Sequence, residues 1–146
     1  MDDATRMRAS AGERLELIAQ SYQRLTGAAL CTGDPWDAPR AVVAHGIEQP
    51  PRFFYANRLA LELFAMSADE FIGLPSHESA EPELREERAA MLARLERDDL
   101  VTDYSGVRIA ADGSRFRIER AVVWNLLDEH GNRHGQAAAF AEWTCL

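Results

Sequence analysis

The sequence predicts an α+β domain: a five-stranded antiparallel sheet with small helices over one face and an amphipathic helix at the amino end. The order of patterns along the 146 residues supports this prediction, because two strand-like segments, short helices, one longer helix and three strand-like segments follow the first helix. Turn residues separate the strand-like segments, which are rich in β-branched and aromatic side chains. Strands joined by short turns pair antiparallel, and helices grouped on one face of such a sheet are typical of this class.

The first predicted element is an amphipathic helix from Ala11 to about Leu30. Its apolar positions follow three- and four-residue spacing and form one stripe: Leu15, Ile18, Ala19, Tyr22 and Leu25. The stripe covers either the protein's own core or a second subunit. The loop "CTGDPWDAPR" follows. We therefore expect residues 1–40 to form an N-terminal helix and loop, and residues 41–146 to form the main domain.

The segments "AVVAHGI" and "RFFYA" are predicted to be two strands of a hairpin. Asn57 then suits the N-cap position of a short helix that is apolar on most sides. The sequence "SADE" predicts a capping box, in which the Ser67 hydroxyl accepts from the amide of Glu70 and Glu70 accepts from the amide of Ser67. Gly73 is placed to end that second short helix.

A longer helix is predicted from Pro82 to about Arg97, with acidic residues at its amino end, where the helix dipole favours them. The last third of the chain reads as three strands in a meander. Asp112-Gly113 is a strong hairpin signal between the first two of these strands. The segment "DEHGNRHG" predicts a longer hairpin loop between the last two.

Composition excludes several classes of function. All 16 basic residues are arginine, so neither a Schiff-base lysine nor a phosphate-loop lysine is present. The formal charge of −8 argues against nucleic acid and anionic membrane partners. The start "MDDATRMR" lacks the apolar core of a signal peptide, so we expect a cytoplasmic protein. In that compartment Cys31 and Cys145 are predicted to be free thiols.

Longer stretches of the sequence resemble a known family. The stretch "YANRLALELFAMSADEFIGLP" resembles the core run of PAS domains, and "ADGSRFRIERAVVWNLLDEHGNRHG" resembles their second block. Within that superfamily the sequence is similar to the MEKHLA domain, on the strings "YANRLALELF", "GLPSHESAEPELREERAAML", "DYSGVRIAADGSRFRIERAVVWNL" and "GQAAAF". The resemblance covers roughly residues 11 to 144. It implies a PAS-like fold and a sensory, ligand-binding or interaction role, with signalling through dimers.

The resemblance also shapes the expected partners and cofactors. MEKHLA domains occur at the carboxyl ends of plant homeodomain–zipper regulators and as stand-alone bacterial proteins, and this chain resembles the stand-alone type. We expect a homodimer formed through the N-terminal helix or the sheet. Flavin photochemistry in PAS-like domains needs a cysteine after the second small helix. At that place this chain reads "GLPSHESAEP", which contains no cysteine, so we do not expect a photochemical flavin adduct. Haem would need an axial ligand, and His77 lies in a predicted loop, so no cofactor is assigned.

The predicted strand over residues 115–126 presents two alternating faces. The more apolar face, assigned to the interior, contains Phe116, Ile118, Arg120, Val122 and Trp124. The other face contains Arg117, Glu119, Ala121, Val123 and Asn125. A β-bulge within the strand would exchange the two faces.

Arg120 is the most informative residue under this assignment, because a buried charge needs a partner. The partner is either a carboxylate or phosphate ligand held bidentately, or an internal carboxylate such as Glu62 or Glu119; the third alternative is an arginine in solvent. A sheet covered by small helices leaves a mostly apolar cavity between the two layers, and other polar and aromatic side chains of the last three strands suit this cavity. The predicted ligand-binding residues are Tyr104, Arg108, Arg120, Trp124 and Gln136.

His130 and His134 lie beside Asp128 and Glu129, but glycines place them in a turn, so a solvated turn is preferred over a metal site. No pattern of a catalytic triad or a phosphate-binding glycine loop is visible in the sequence. Three functions follow, in order of preference: a small-molecule sensor, an interaction module without a ligand, and a small α+β enzyme. The preferred prediction is a non-enzymatic sensor domain.

Overall fold

The computed structural model describes residues 2–80 and 85–146. The α-helices within these residues are α1 (Asp3–Ala11), α2 (Arg14–Thr26), α3 (Arg58–Phe64), α4 (Ala68–Phe71) and α5 (Arg85–Asp98). The strands are β1 (Ala41–His45), β2 (Phe53–Ala56), β3 (Leu100–Ile109), β4 (Arg115–Leu127), β5 (Arg133–Phe140) and β6 (Glu142–Cys145). The predicted start of the long helix at Pro82 lies outside the described residues.

The strands form one antiparallel sheet in the order β2-β1-β5-β4-β3, and β6 pairs with the first half of β4. Only Ala141 separates β5 from β6. The predicted fifth strand is therefore present in two segments, and the predicted α+β class with an antiparallel sheet is confirmed. Both predicted hairpins of the last three strands are present, with Asp112 and Gly113 in the turn between β3 and β4.

The N-terminal helices belong to the domain's own core. The buried side chains of α2 include Ile18 and Tyr22, and α2 packs against β4. Of the two alternatives for the apolar stripe, the protein's own sheet is therefore the one that it covers. The helix is shorter than predicted, because Gly27 adopts a left-handed conformation (φ 79°) and its N–H donates to the carbonyl of Gln23. The sequence analysis missed α1, which packs on β2 and α4.

The short helices follow their predicted caps. Asn57 is fully buried, and its side-chain oxygen accepts from the amides of Ala60 (3.1 Å) and Val42 (3.0 Å). The predicted capping box of Ser67 and Glu70 is present on α4. These helices lie against β1 and β2, so their apolar side chains form a wall over that end of the sheet.

A β-bulge in β4 changes the predicted faces of this strand. Ile118 pairs with Gly106 of β3, whereas Ala121 pairs with Tyr104, so two residues of β4 face one residue of β3. Arg120 lies in the bulge with a φ of 53°. The face of Ile118 therefore continues through Ala121 on odd-numbered residues and lines the cavity at Val123, whereas Trp124 is buried on the opposite side of the strand. The prediction that Arg120, Val122 and Trp124 share the face of Ile118 is wrong.

Candidate functional site

A cavity of about 60 Å³ lies between the sheet and the layer formed by α3, α5 and the short turn Ser76–Ser79. Its apolar wall comes from both layers and includes Val43, Phe53, Phe64, Met91, Leu92, Ile118, Val123, Ala138 and Phe140. The volume exceeds the roughly 10–15 Å³ that one water molecule requires. It is well below the roughly 300–1,000 Å³ of typical small-molecule sites. The cavity by itself therefore suits a small group rather than a large cofactor.

Few polar side chains line this apolar cavity: His45, Ser76, Ser79, Tyr104, Arg108 and Gln136. Three of the five residues predicted for the ligand site, Tyr104, Arg108 and Gln136, are thus brought to one cavity. They come from β3 and β5, on either side of β4 in the sheet. The antiparallel register places them on the same face as Val123, because Val123 pairs with Ala138, two residues from Gln136.

The Arg108 and Tyr104 side chains, both on β3, are joined by a hydrogen bond. The Nη2 group of Arg108 donates to the hydroxyl of Tyr104 (3.2 Å), and Nη1 donates to the carbonyl of Val107 (3.1 Å). The guanidinium carbon lies 5.6 Å from the centroid of the Tyr104 ring. Arg108 is half-buried, and within residues 2–80 and 85–146 no carboxylate forms an ion pair with it. A positive charge is therefore held at the β3 side of the cavity.

Gln136 lies at the other side of the cavity. It pairs with His45 of β1 and with Asn125 of β4. Its Oε1 atom is buried and accepts no hydrogen bond from the described part of the chain. Since an amide oxygen shielded from water costs free energy when it lacks a donor, this atom marks a position for an N–H or O–H group.

Two predicted site residues, Arg120 and Trp124, lie outside the cavity. The Arg120 side chain is 76% exposed and lies 3.5 Å from the carboxylate of Glu142, which matches the alternative of an arginine in solvent. Trp124 is fully buried, but on the opposite side of β4, where its indole N–H donates to the carbonyl of Ile18 (3.1 Å). The bulge at Arg120 is the physical reason for both corrections.

Ser76, Ser79, Met91 and Leu92 line the cavity but were not predicted as site residues. Ser76 and Ser79 belong to one turn of 3-10 helix around His77, in the segment that was predicted to be a loop. A single turn leaves no periodic signal in a sequence, so the local pattern contains no means of finding these serines. Met91 and Leu92 lie on α5, and their contact with the cavity depends on how this helix crosses the sheet.

Other chemically reactive groups lie away from the cavity. Cys31 follows α2 in the chain, and burial raises the pKa of its thiol. Cys145 is exposed on β6. In the β4–β5 turn, His134 Nε2 lies 2.8 Å from Asp128 Oδ2. Across the described ranges no three side chains of the metal-binding types come together, and His77 does not line the cavity.

The model of the MEKHLA domain matches residues 13–145. The chain belongs to the MEKHLA domain family. A comparison with curated proteins finds no match to this MEKHLA domain. Its fold is similar to those of PAS and light-oxygen-voltage domains, as three solved structures illustrate.

The first is the PAS domain of a protein from Colwellia psychrerythraea, with a TM-score of 0.60, 15% identity, and coverage of 84% of this chain and 93% of that one. The second is the light-state dimer of the fungal blue-light photoreceptor Vivid, with a TM-score of 0.66, 15% identity, and coverage of 89% and 94%. The third is a light-oxygen-voltage domain studied with a flavin analogue, with a TM-score of 0.63, 17% identity, and coverage of 94% and 87%. At these identities the similarity shows the fold alone and not a shared ligand.

The cavity of this MEKHLA domain does not fit a flavin. Its volume of about 60 Å³ falls short of the range for sites that bind molecules of that size. Neither Cys31 nor Cys145 lines it, so the residues for a cysteine adduct are absent from the described wall. As to membranes, no helix within residues 2–80 or 85–146 combines the length and apolarity needed to cross one.

Proposed function

We propose that this MEKHLA domain is a sensor that binds a small organic carboxylate in the cavity between the sheet and α5. The observation that supports this proposal is the Arg108 guanidinium, which is half-buried in the cavity wall and has no carboxylate partner among the described residues. Removing a guanidinium from water is costly unless an anion pairs with it. A carboxylate guest supplies that anion and accepts two parallel hydrogen bonds.

The side chains around Arg108 favour a carboxylate with a small head. The Tyr104 hydroxyl accepts from Arg108 Nη2, so its own proton is available for a guest oxygen. The remaining wall is mostly apolar, with Phe64, Ile118 and Phe140 among its residues. Such a wall suits an aliphatic body better than a second charge.

The proposed route for the signal runs through β4 to α2. Val123 lines the cavity, whereas the next residue, Trp124, donates to the carbonyl of Ile18 on α2. Ser21 of α2 also donates to the carbonyl of Leu127 (3.1 Å) and accepts from its amide (2.9 Å). A guest that shifts β4 would therefore shift α2. The proposal is of a non-catalytic sensor that acts in the cytoplasm, as the sequence predicts.

A homodimer is the second proposal, and the Vivid dimer among the similar folds supports it. Because the inner stripe of α2 packs on β4, a dimer through the helices would use the outer sides of α1 and α2. Light scattering over a range of concentrations tests this proposal. A mass that stays at the value of one chain at high concentration would reject it.

Carboxylate binding is tested by NMR titration of the full chain with acetate, propionate and benzoate. We expect shifts at residues of the cavity wall, and about tenfold or weaker binding in the variant Arg108→Gln, because charge-assisted hydrogen bonds are lost. The matched control is Arg120→Gln, which neutralises an exposed arginine on β4 and should leave the affinity unchanged. Unchanged binding in Arg108→Gln, or no shift with any carboxylate, would contradict the proposal. A visible absorption band in freshly purified protein would contradict it in favour of a coloured cofactor.

A further inference from the structure

A groove of about 430 Å³ adjoins the cavity on the outside of the domain. It lies between α5 and the connection from β1 to β2, and its walls include Ile47, Pro51, Ala89, Ala93, Glu96 and Arg133. Three residues, His45, Leu92 and Gln136, line both the groove and the cavity. These three side chains therefore form the partition between the two spaces.

The volumes indicate that the two spaces act together. The cavity of about 60 Å³ is too small for most metabolites, whereas the groove lies within the roughly 300–1,000 Å³ of small-molecule sites. The groove is open to solvent, and the Arg133 guanidinium in its wall lies 4.0 Å from the carboxylate of Asp99, whereas Arg108 in the cavity wall has no carboxylate partner among the described residues. A ligand that uses both spaces places its carboxylate in the enclosed part and its body in the open part.

The partition contains a buried hydrogen-bond acceptor that lacks a donor among the described residues. Gln136 Oε1 is buried and accepts no hydrogen bond from the described residues, although the Gln136 side chain borders both spaces. A guest that passes from the cavity to the groove passes this oxygen. An N–H or O–H group on the guest would satisfy it, whereas an unbroken aliphatic chain would leave it unpaired.

The helical side of the partition, formed by Leu92 of α5, belongs to a more weakly held part of the fold than the strands that carry His45 and Gln136. On α5, Met91 and Leu95 pack with Val101 and Val123 in a small apolar cluster that is separate from the main core. Leu92, which follows Met91 on α5 and forms part of the partition, is half-buried. Elements with few buried apolar contacts open at low free-energy cost, so a displacement of Leu92 would join the cavity to the groove.

We propose that the cavity and the groove form one ligand site for a hydroxy- or amino-substituted aliphatic carboxylate. The carboxylate binds at Arg108, the chain passes Leu92, and the hydroxyl or amino group donates to Gln136 Oε1. The inference rests on the proposed carboxylate function and adds the class of ligand. Tyr104 pairs with Ala121, and Gln136 pairs with Asn125, four residues further along β4. This offset along β4, together with the two strand spacings between β3 and β5, separates the backbones of Tyr104 and Gln136 by about 16 Å. The Arg108 guanidinium lies at the Tyr104 hydroxyl, so the side chains of Tyr104 and Gln136 cover part of that distance and a chain of about six carbons covers the remainder.

The test compares acetate, hexanoate and a set of hydroxyhexanoates that differ in the position of the hydroxyl, each titrated into the full chain by NMR. We expect one hydroxyhexanoate to bind about five- to tenfold more tightly than hexanoate, as one additional hydrogen bond at a buried acceptor implies. In Gln136→Met, which keeps the length of the side chain but removes the amide, this preference should disappear, so that the hydroxyhexanoate and hexanoate bind with equal affinity. In Leu92→Ala, the affinity for hexanoate relative to acetate should rise. The control Leu63→Ala truncates a half-buried leucine on α3 that lines neither space.

The outcomes separate this inference from the proposed function. If acetate binds and Arg108→Gln abolishes its binding, but no hydroxyhexanoate exceeds hexanoate, the carboxylate function stands and the inference is wrong. The inference is also wrong if Gln136→Met retains the preference for the hydroxyl. If no carboxylate binds the wild-type chain, both proposals fall. Should Gln136→Met or Leu92→Ala fold poorly, the ligand comparison on the wild-type chain alone still decides the class of ligand.

Discussion

Trp124 of β4 and Ile18 of α2 are joined across the outer side of the sheet by a hydrogen bond of 3.1 Å from the indole nitrogen to the backbone carbonyl. The ring of Tyr22 meets the Trp124 ring edge-on, with 4.9 Å between centroids. Neither Trp124 nor Ile18 has any exposed surface. This hydrogen bond inside an apolar layer therefore holds α2 against the central part of the sheet and fixes both the position and the rotation of the helix.

The indole contact gives the first prediction. Replacing Trp124 by phenylalanine keeps an aromatic ring but removes the donor, so the carbonyl of Ile18 loses a buried partner and a small void forms. We expect the free energy of unfolding to fall by about 2–3 kcal/mol. Urea denaturation followed by circular dichroism measures this change. Trp36→Phe is the control, because Trp36 is only half-buried and should cost much less; equal effects of the two variants would contradict the prediction.

Asn57 gives the second prediction. Its side chain accepts from the amides of Val42 and Ala60 and donates to the carbonyls of Pro35 (3.1 Å) and Arg40 (2.7 Å). Asn57→Ala would leave two buried amides and two part-buried carbonyls without this partner, and we expect a loss of about 2–4 kcal/mol. Thermal unfolding measures it.

The control for Asn57 is Ser67→Ala, which removes the cap of α4 at a more exposed site. A single N-cap hydrogen bond is worth about 1 kcal/mol, so this variant should lose less stability than Asn57→Ala. If the two variants were equally stable, the hydrogen bonds of Asn57 to Pro35 and Arg40 would contribute nothing, and our account of its role would be wrong.

The two caps also show what could be predicted from the sequence. As helix caps, Asn57, Ser67 and Glu70 accept from amides three residues away, so the capping role can be predicted from a short stretch of the chain. The contacts of Asn57 with Val42, Pro35 and Arg40 are not local, and no short pattern specifies them. The hairpin signal of Asp112-Gly113 is equally local. The same is true of the order of helices and strands, which depends on the periodicity of each segment.

The candidate site could be predicted only in part, because the set of β4 residues that line the cavity depends on the bulge at Arg120. Tyr104 and Arg108 were placed correctly in relation to each other by the alternation within β3. Trp124 was placed wrongly because the bulge at Arg120 shifts the alternation by one residue. An arginine with a positive φ has no signature in a sequence, since glycine and asparagine are the usual residues in that conformation. The contribution of Leu92 depends on the packing of α5, which no local pattern specifies.

The bulge gives the third prediction. Arg120 has a φ of 53°, a conformation that is sterically strained for arginine, more strained for a β-branched residue and unstrained for glycine. We expect the free energy of unfolding of Arg120→Gly to equal or exceed that of the wild type. Arg120→Val should be at least about 1 kcal/mol less stable than Arg120→Gly. Urea denaturation compares the three proteins. A valine variant as stable as the glycine variant would mean that position 120 is extended in solution and that the strand has no bulge there.

The β4–β5 turn gives the fourth prediction, on pH. A hydrogen bond with the His134 side chain, and others from the amides of Asn132 and His130 (2.9 Å each), hold the pKa of Asp128 well below its usual range. A carboxyl whose pKa is lowered on folding stabilises the folded state above its unfolded pKa of about 4, and this contribution is lost as the pH falls through the folded pKa. Asp128→Asn should therefore be less stable than the wild type near neutral pH.

The difference in stability between Asp128→Asn and the wild type should shrink as the pH falls below about 4, because protonation removes the charge that the substitution removes. Urea denaturation across this pH range measures it. Glu129→Gln, in the same turn, is the control, since Glu129 is exposed and this difference should be small at every pH. A difference for Asp128→Asn that stays constant down to the lowest pH at which the protein folds would show that the carboxylate is not held by these donors. The turn would then be fixed by Gly131 and the backbone alone, with Arg24 of α2 donating to the carbonyl of residue 128 in both proteins.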